Sequence, residues 1–209
     1  MTISPDALSV YGARVLARST FVSNEYRPSS RDRFRVRARR ALLGRLRSLL
    51  APDGLRLLDV GGGTGATTVV FGEGAKERVV LEPDERKVSR GRAAQTPVEF
   101  VSGLAEAVPF EDGRFDRVVS LMSFHHFPRG DDALREAVRV LVPGGRMVIY
   151  DFDPSTLSGR WVAFFEGKVL RHPFSFTSPA ELERRALAAG FRTVRRESFG
   201  SGGFVIAER

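Results

Sequence analysis

Apolar and polar positions change their period several times along the chain, and each change marks an element. Ser4-Pro5-Asp6 puts a capping Ser, a first-turn Pro and an acid in order, and Leu8, Tyr11 and Val15 then follow at helical spacing. From residue 31, Phe34, Ala38, Ala41/Leu42, Leu46 and Leu49/Leu50 trace one side of a helix, with Arg31, Arg35 and Arg39 on the other. Pro52-Asp53-Gly54 ends it. Short apolar runs at 55–60, 78–81, 98–101, 115–122 and 146–152 then alternate with helical patterns at 83–94 and 131–141. Pro143-Gly144-Gly145 separates the last of these helices from the fifth strand. Past Asp153 the rhythm breaks, and 154–177 holds Trp161, Phe164, Phe165, Phe174 and Phe176. Ser178-Pro179-Ala180-Glu181 opens a final helix that Gly190 closes. Two strands, 191–198 and 203–207, follow across Gly200-Ser201-Gly202.

Strands alternating with helices predict βαβ units on a mostly parallel sheet, the α/β class, with helices on both faces. The closing hairpin makes one terminal strand antiparallel. At 209 residues the chain is predicted to hold one core domain, 51–209, preceded by an arm, 1–50. Charge divides it at the same place. The arm carries 11 Arg against 3 acids, while the remainder balances 22 basic residues with 22 acidic ones. Eight Arg fall between residues 31 and 47, a phosphate-sized footprint or a solvated helix face.

Zero cysteines exclude disulfides, thiolate-held metals and thiol catalysis. The amino-terminal residues lack a secretory pattern, and no run of about 18 apolar residues occurs, so a cytoplasmic protein without membrane insertion is expected. No acidic cluster suited to a metal is visible, and none is predicted.

Asp59-Val60-Gly61-Gly62-Gly63-Thr64-Gly65 carries the clearest chemistry. An apolar strand delivers the chain to glycines that permit positive φ and close backbone approach, and the helix start beyond suits an anionic group. Glu82 ends the second strand, 21 residues after Gly61, where a carboxylate can accept from two ribose hydroxyls. Gly61, Gly63 and Ala66 also satisfy the dinucleotide pattern. On pattern alone, a nicotinamide dinucleotide and an adenosyl sulfonium both remain open.

Five stretches in order resolve that choice by resemblance. The glycine motif resembles the first motif of class I S-adenosylmethionine-dependent methyltransferases. Val80-Leu81-Glu82-Pro83-Asp84 resembles their ribose-binding strand end, and Gly103-Leu104-Ala105-Glu106-Ala107-Val108-Pro109-Phe110 their adenine-side loop. Phe115-Asp116-Arg117-Val118-Val119-Ser120 with Phe124-His125-His126-Phe127, and Leu141-Val142-Pro143-Gly144-Gly145-Arg146, resemble the fourth-strand motif and the turn into the fifth. The resemblance implies a seven-stranded Rossmann-like sheet and S-adenosylmethionine as cofactor. It also implies that Gly61, Gly62 and Gly63 line the methionine part, Asp59 supports the loop, and Glu82 with Pro83 serves the ribose. Leu104 and Ala105 would flank adenine, while Ser120, Leu121 and Met122 would lie beside the sulfonium. Leu104 stands where the family commonly has Asp. A backbone carbonyl or Glu106 would then take the adenine amino group, or its recognition is weaker.

Methyl transfer from a sulfonium needs alignment, and a base when the nucleophile is weakly acidic. His125 and His126 follow the fourth strand, and Tyr150, Asp151 and Asp153 end the fifth. His125, His126 and Asp151 are the catalytic candidates, with capping or packing as their other role. Tyr11 and Arg14 are candidates for covering the cofactor, and the aromatics of 154–177 for walling an acceptor pocket. The predicted function is methyl transfer to a small-molecule acceptor. An NAD-dependent oxidoreductase and a non-catalytic cofactor- or RNA-binding protein using the arginine-rich arm are the alternatives. Nucleic acid is not the favoured partner: the Asn/Asp-Pro-Pro-Tyr motif of base-amine methyltransferases is absent, Ser120-Leu121-Met122-Ser123 standing in its place.

Overall fold

The computed structural model describes residues 30–157, 159–160 and 176–209, with side chains from Arg39 onward. Two compact units result, Met1–Arg45 and Leu46–Arg209. Helix α1 (Ser30–Leu50) crosses their boundary, so its last turn belongs to the larger unit. That unit contains β1 (Arg56–Val60), α2 (Thr68–Phe71), β2 (Glu77–Glu82), α3 (Glu85–Ala93), β3 (Glu99–Ser102) and β4 (Phe115–Leu121). A 3₁₀ turn at Phe124–His126, α4 (Gly130–Val140), β5 (Leu141–Phe152), α5 (Pro179–Ala189), β6 (Thr193–Phe199) and β7 (Gly202–Glu208) complete it.

The strands form one seven-stranded sheet in the order β3-β2-β1-β4-β5-β7-β6. From β3 through β5 the pairs are parallel, and β7 runs antiparallel to both β5 and β6. The hairpin seen in the sequence therefore returns its last strand between β5 and β6. Strand order reverses at β1, whose neighbours are β2 and β4, and ligands in open α/β sheets bind at the carboxyl ends beside such a reversal.

Alternation along buried strands sorts the core into two faces. Leu58, Val79, Leu81, Val118, Met147, Ile149 and Val205 pack with Leu134 and Ala137 of α4 and with Leu182 and Ala186 of α5. Val80 and Phe100 meet Val88 of α3 in a separate cluster. Helix ends follow local chemistry. The Ser178 side chain accepts from the Glu181 N–H and Pro179 opens α5, while Gly190 closes it in the left-handed region (φ 113°). The helix after the glycine loop shrinks to four residues before Gly72.

One element is longer than its sequence pattern. β5 begins at Leu141, directly after α4, rather than at Arg146. On β4 one residue separates Phe115 from Arg117, whereas four residues separate their partners Leu141 and Arg146. Pro143 and Gly144 (φ 77°) lie in the looped-out stretch, which explains why the sequence marks a break there.

At the amino ends of the strands, arginines tie elements together. Arg56 of β1 grips Asp116 of β4 through Nε at 2.9 Å and a second nitrogen at 3.1 Å. Arg117 and Arg146 donate to the carbonyls of Leu50 and Leu49, closing the last turn of α1. This packing leaves the carboxyl ends for chemistry.

Candidate active site

Gly61 follows β1 and continues its pairing, its N–H donating to the Leu81 carbonyl at 2.8 Å. Its backbone is left-handed (φ 76°), and a Cβ there would lie 2.7 Å from Ser123 Cβ. Gly62 sits against Asp59, where a Cβ would come within 2.6 Å of Oδ2. Gly63 differs: it too is left-handed (φ 61°), but a Cβ would meet nothing within 4 Å. The loop is thus tight against the protein at two glycines and faces space at the third.

Glu82 closes the cradle from β2. Only 3% of its surface is exposed. Its Oε2 accepts from the Gly63 N–H at 3.0 Å, and Oε1 accepts from the Asp84 N–H at 3.2 Å and from Lys87 Nζ at 3.3 Å. Below the loop, Asp59 Oδ2 accepts from the Thr68 hydroxyl at 2.5 Å. Asp59 Oδ1 is buried with no hydrogen-bond partner among the described residues. Burial pushes the Asp59 carboxyl up to about 7, the Thr68 hydrogen bond opposing and the nearby Glu82 charge adding to the rise. An open glycine cradle, a carboxylate at the end of the second strand and an orphaned acceptor beneath fit a ligand that brings hydroxyls and positive charge.

The loop between β3 and β4 forms the next wall. Ala105 is buried and Leu104 is 52% exposed, with a short bridge from Leu104 to Ala107. Two side chains of α4 hold this loop. Glu136 accepts from the Val108 N–H at 2.7 Å, and Arg139 donates to the Val108 and Phe110 carbonyls at 2.9 and 2.7 Å. Glu106 accepts from the Arg129 N–H at 3.1 Å, so its carboxylate caps the start of α4. Pro83 is exposed at the end of β2.

Beyond β4, Leu121 is half-buried and Met122 is 42% exposed, in the left-handed region (φ 53°) that a non-glycine residue rarely occupies. The Met122 N–H donates to the Tyr150 carbonyl at 2.8 Å, holding that conformation. Ser123, which carried no signal in the sequence, stitches the site together. Its hydroxyl donates to the Val60 carbonyl at 3.0 Å and lies 2.9 Å from the Ser120 hydroxyl.

The 3₁₀ turn carries His125 and His126 alongside, since its flanking residues Ser123 and Phe127 are the ones a Cβ on Gly61 would meet. His125 is 4% exposed and His126 is exposed, with ring centroids 4.0 Å apart. Asp151 receives both the His125 backbone N–H, at 3.0 Å, and ring nitrogen Nδ1, at 2.7 and 2.9 Å from its two oxygens. Phe176 stacks on the His125 ring at 4.5 Å. Tyr150 turns elsewhere: its hydroxyl donates to the Phe199 carbonyl at 3.1 Å, and its ring packs on Phe204. Asp153 accepts from the Ser155 N–H at 2.9 Å as a turn cap. Tyr11, Arg14, Trp161, Phe164, Phe165 and Phe174 lie outside the described residues. Among the described residues no cluster of three or more His, Asp or Glu could hold a metal ion.

A mostly parallel sheet with an inserted antiparallel last strand, glycines at the end of β1 and an acid at the end of β2 is the architecture of an α/β protein that binds a nucleoside cofactor. Residues 58–149 match the sequence family described as Methyltransferase domain. The ubiquinone/menaquinone biosynthesis C-methyltransferase of Pseudomonas fluorescens is 38% identical over 112 residues, 49% of this chain and 44% of that protein. The phthiotriol/phenolphthiotriol dimycocerosates methyltransferase of Mycobacterium leprae is 33% identical over 123 residues, 57% of this chain and 46% of the other. The chain thus matches less than half the length of either relative. In fold, it resembles the crystal structure of an S-adenosylmethionine-dependent methyltransferase from Mesorhizobium loti, with a TM-score of 0.69 at 19% identity over 82% of this chain and 98% of that one. Over residues 58–149 this chain is thus similar in sequence to methyltransferase domains, and its core shares the fold of an S-adenosylmethionine-dependent methyltransferase.

Proposed function

We propose that this protein transfers a methyl group from S-adenosylmethionine to a small-molecule acceptor. The observation that carries the reading is the cradle formed by Gly61, Gly62 and Gly63 with Glu82 at its rim and Asp59 beneath it. Glu82 takes the ribose hydroxyls, exchanging one or both of its present backbone partners, the Gly63 and Asp84 N–H groups, for them. The glycine loop receives the methionine portion, and Asp59 sets the loop's height through its contact with Gly62. Pro83 borders the ribose, Leu104 and Ala105 flank the adenine, and Leu121 and Met122 line the approach to the reacting carbon. Glu106 already caps α4, so backbone groups rather than that carboxylate serve the adenine edge. Bound there, the cofactor supplies a methyl carbon already activated by its sulfonium. What remains for the protein is alignment and exclusion of water.

The acceptor side is assigned, as part of this reading, to the carboxyl ends of β4 and β5. Relatives named for ubiquinone, menaquinone and phthiotriol chemistry support a small, largely apolar acceptor. Titration calorimetry tests the reading: S-adenosylmethionine and S-adenosylhomocysteine bind and NAD does not. Absence of binding at millimolar S-adenosylmethionine, or tighter binding of NAD, overturns it.

A further inference from the structure

The cradle sets a direction as well as a place. The glycine loop ends β1, Glu82 ends β2, and β3 is the next strand on the same side. A nucleoside whose ribose reaches Glu82 therefore carries its base toward the end of β3, one strand spacing (about 4.8 Å) further on. Ser102 of β3 is the register partner of Glu82, and the Gly103 N–H donates to the Glu82 carbonyl at 3.4 Å. A Cβ on Gly103 would lie 2.8 Å from Leu81 Cδ1, so the chain passes close over β2 just before Leu104. Leu104 then stands 52% exposed, an apolar side chain in the open where the edge of a purine arrives.

The amino group of adenine donates hydrogen bonds, and Leu104 has no atom to accept one. The carboxylates around the loop are engaged elsewhere. Glu106 accepts from the Arg129 N–H at 3.1 Å, and Asp84 accepts from the Arg86 N–H at 2.9 Å. Glu136 accepts from the Val108 N–H at 2.7 Å, and Asp112 accepts from Arg139 at 2.8 Å. The loop turns back on itself at Leu104, whose carbonyl accepts from the Ala107 N–H at 3.2 Å, and Arg139 takes the carbonyls of Val108 and Phe110. Bringing one of these acids to the base would break a contact that holds the loop or caps a helix. An amino group above Leu104 keeps its water partners instead, so binding gains little from it and its removal costs little. Sites that hydrogen-bond such a group reject the analogue lacking it strongly, and an apolar wall does not.

We propose that Leu104 leaves the amino group of the cofactor's base unread, so that this site takes purine nucleoside cofactors in which that group is absent or carries an alkyl substituent. Ribose contacts at Glu82 and the glycine loop supply the recognition, and the base is held as a flat apolar body. A substituent on the amino nitrogen lies along Leu104 and out into solvent. The inference rests on the methyltransferase reading and adds which part of the cofactor the site ignores.

The test is titration calorimetry on the full chain with three ligands: S-adenosylhomocysteine, its analogue with hydrogen in place of the amino group, and its analogue benzylated on the amino nitrogen. The wild type binds all three within about threefold of one another, a comparison that needs no variant. Leu104→Asp supplies the missing acceptor. It raises the preference for S-adenosylhomocysteine over the deamino analogue by about tenfold, and undiminished binding of the deamino analogue shows that the variant is folded. Glu106→Gln leaves the wild-type ratios as they are. A wild type that loses more than about threefold on either analogue overturns the inference. So does a preference left unchanged by Leu104→Asp, or one altered by Glu106→Gln, which would assign the amino group to that carboxylate. Failure of the wild type to bind S-adenosylhomocysteine at all would instead overturn the methyltransferase reading.

Discussion

Asp59 is the residue at which burial and function meet most directly. Its carboxyl titrates near 7 in the folded chain against an ordinary value of 3.8, because the buried site disfavours the charge. Below the lower value both folded and unfolded chains carry the proton, and Asp59 costs nothing. As pH rises toward 7 the unfolded chain ionises while the folded one does not, so stability falls, levelling off once both are charged. The loss is on the order of a few kcal/mol. Urea unfolding of the cofactor-free protein from about pH 4 to about pH 7 is expected to show this decline, and Asp59→Asn to flatten it. Gly61 makes a steric counterpart. Alanine there meets both a left-handed backbone and Ser123 Cβ at 2.7 Å, so Gly61→Ala is expected to lose about 1–3 kcal/mol in urea unfolding. The glycines and Glu82 were legible in the sequence because one loop and one strand end hold them at fixed spacing. Thr68 and Ser123 were not, since a hydroxyl's partner depends on which elements fold against it.

Elements, rather than residues, decide how the walls of the site are held. The loop after β3 has little regular structure, yet Glu136 and Arg139 of α4 bind three of its backbone groups. The Glu136 carboxyl lies below the usual carboxylate range, held there chiefly by Arg139. Arg139→Ala is therefore expected to raise amide hydrogen exchange across 104–110 and to weaken S-adenosylmethionine binding several-fold, with little change in α4 itself. Ser178→Ala removes the N-cap of α5 and is expected to cost about 1 kcal/mol in urea unfolding without altering cofactor affinity. Helix and strand order follows directly from the periodic pattern, and the caps of α5 were readable residue by residue. The early start of β5 was not, because Pro143-Gly144-Gly145 reads as an interruption while the strand resumes beyond it in register. Nor did sequence join His125 to Asp151, 26 residues apart: adjacency of β4 and β5 does that, and Asp151 there accepts from the His125 and Phe152 backbone N–H groups and from the His125 ring.

At the scale of the whole molecule, charge-balanced residues 51–209 follow an arginine-rich stretch, 1–50. The core places chemistry and scaffolding at opposite ends of one sheet. Arg56–Asp116 and the arginines closing α1 secure the amino ends, while the glycine loop, Glu82 and the His125–Asp151 pair gather at the carboxyl ends. Such an arrangement lets loops vary around a fixed floor. Among the described residues no helix is long and apolar enough to cross a membrane. The central claim is that the cradle around Glu82 holds S-adenosylmethionine, and its most direct test is the affinity of wild type and Glu82→Ala for that cofactor measured side by side. Loss of hydrogen bonds to a charged acceptor predicts a dissociation constant raised by roughly tenfold to a hundredfold, with the fold intact. Equal affinity of the two proteins would contradict the account.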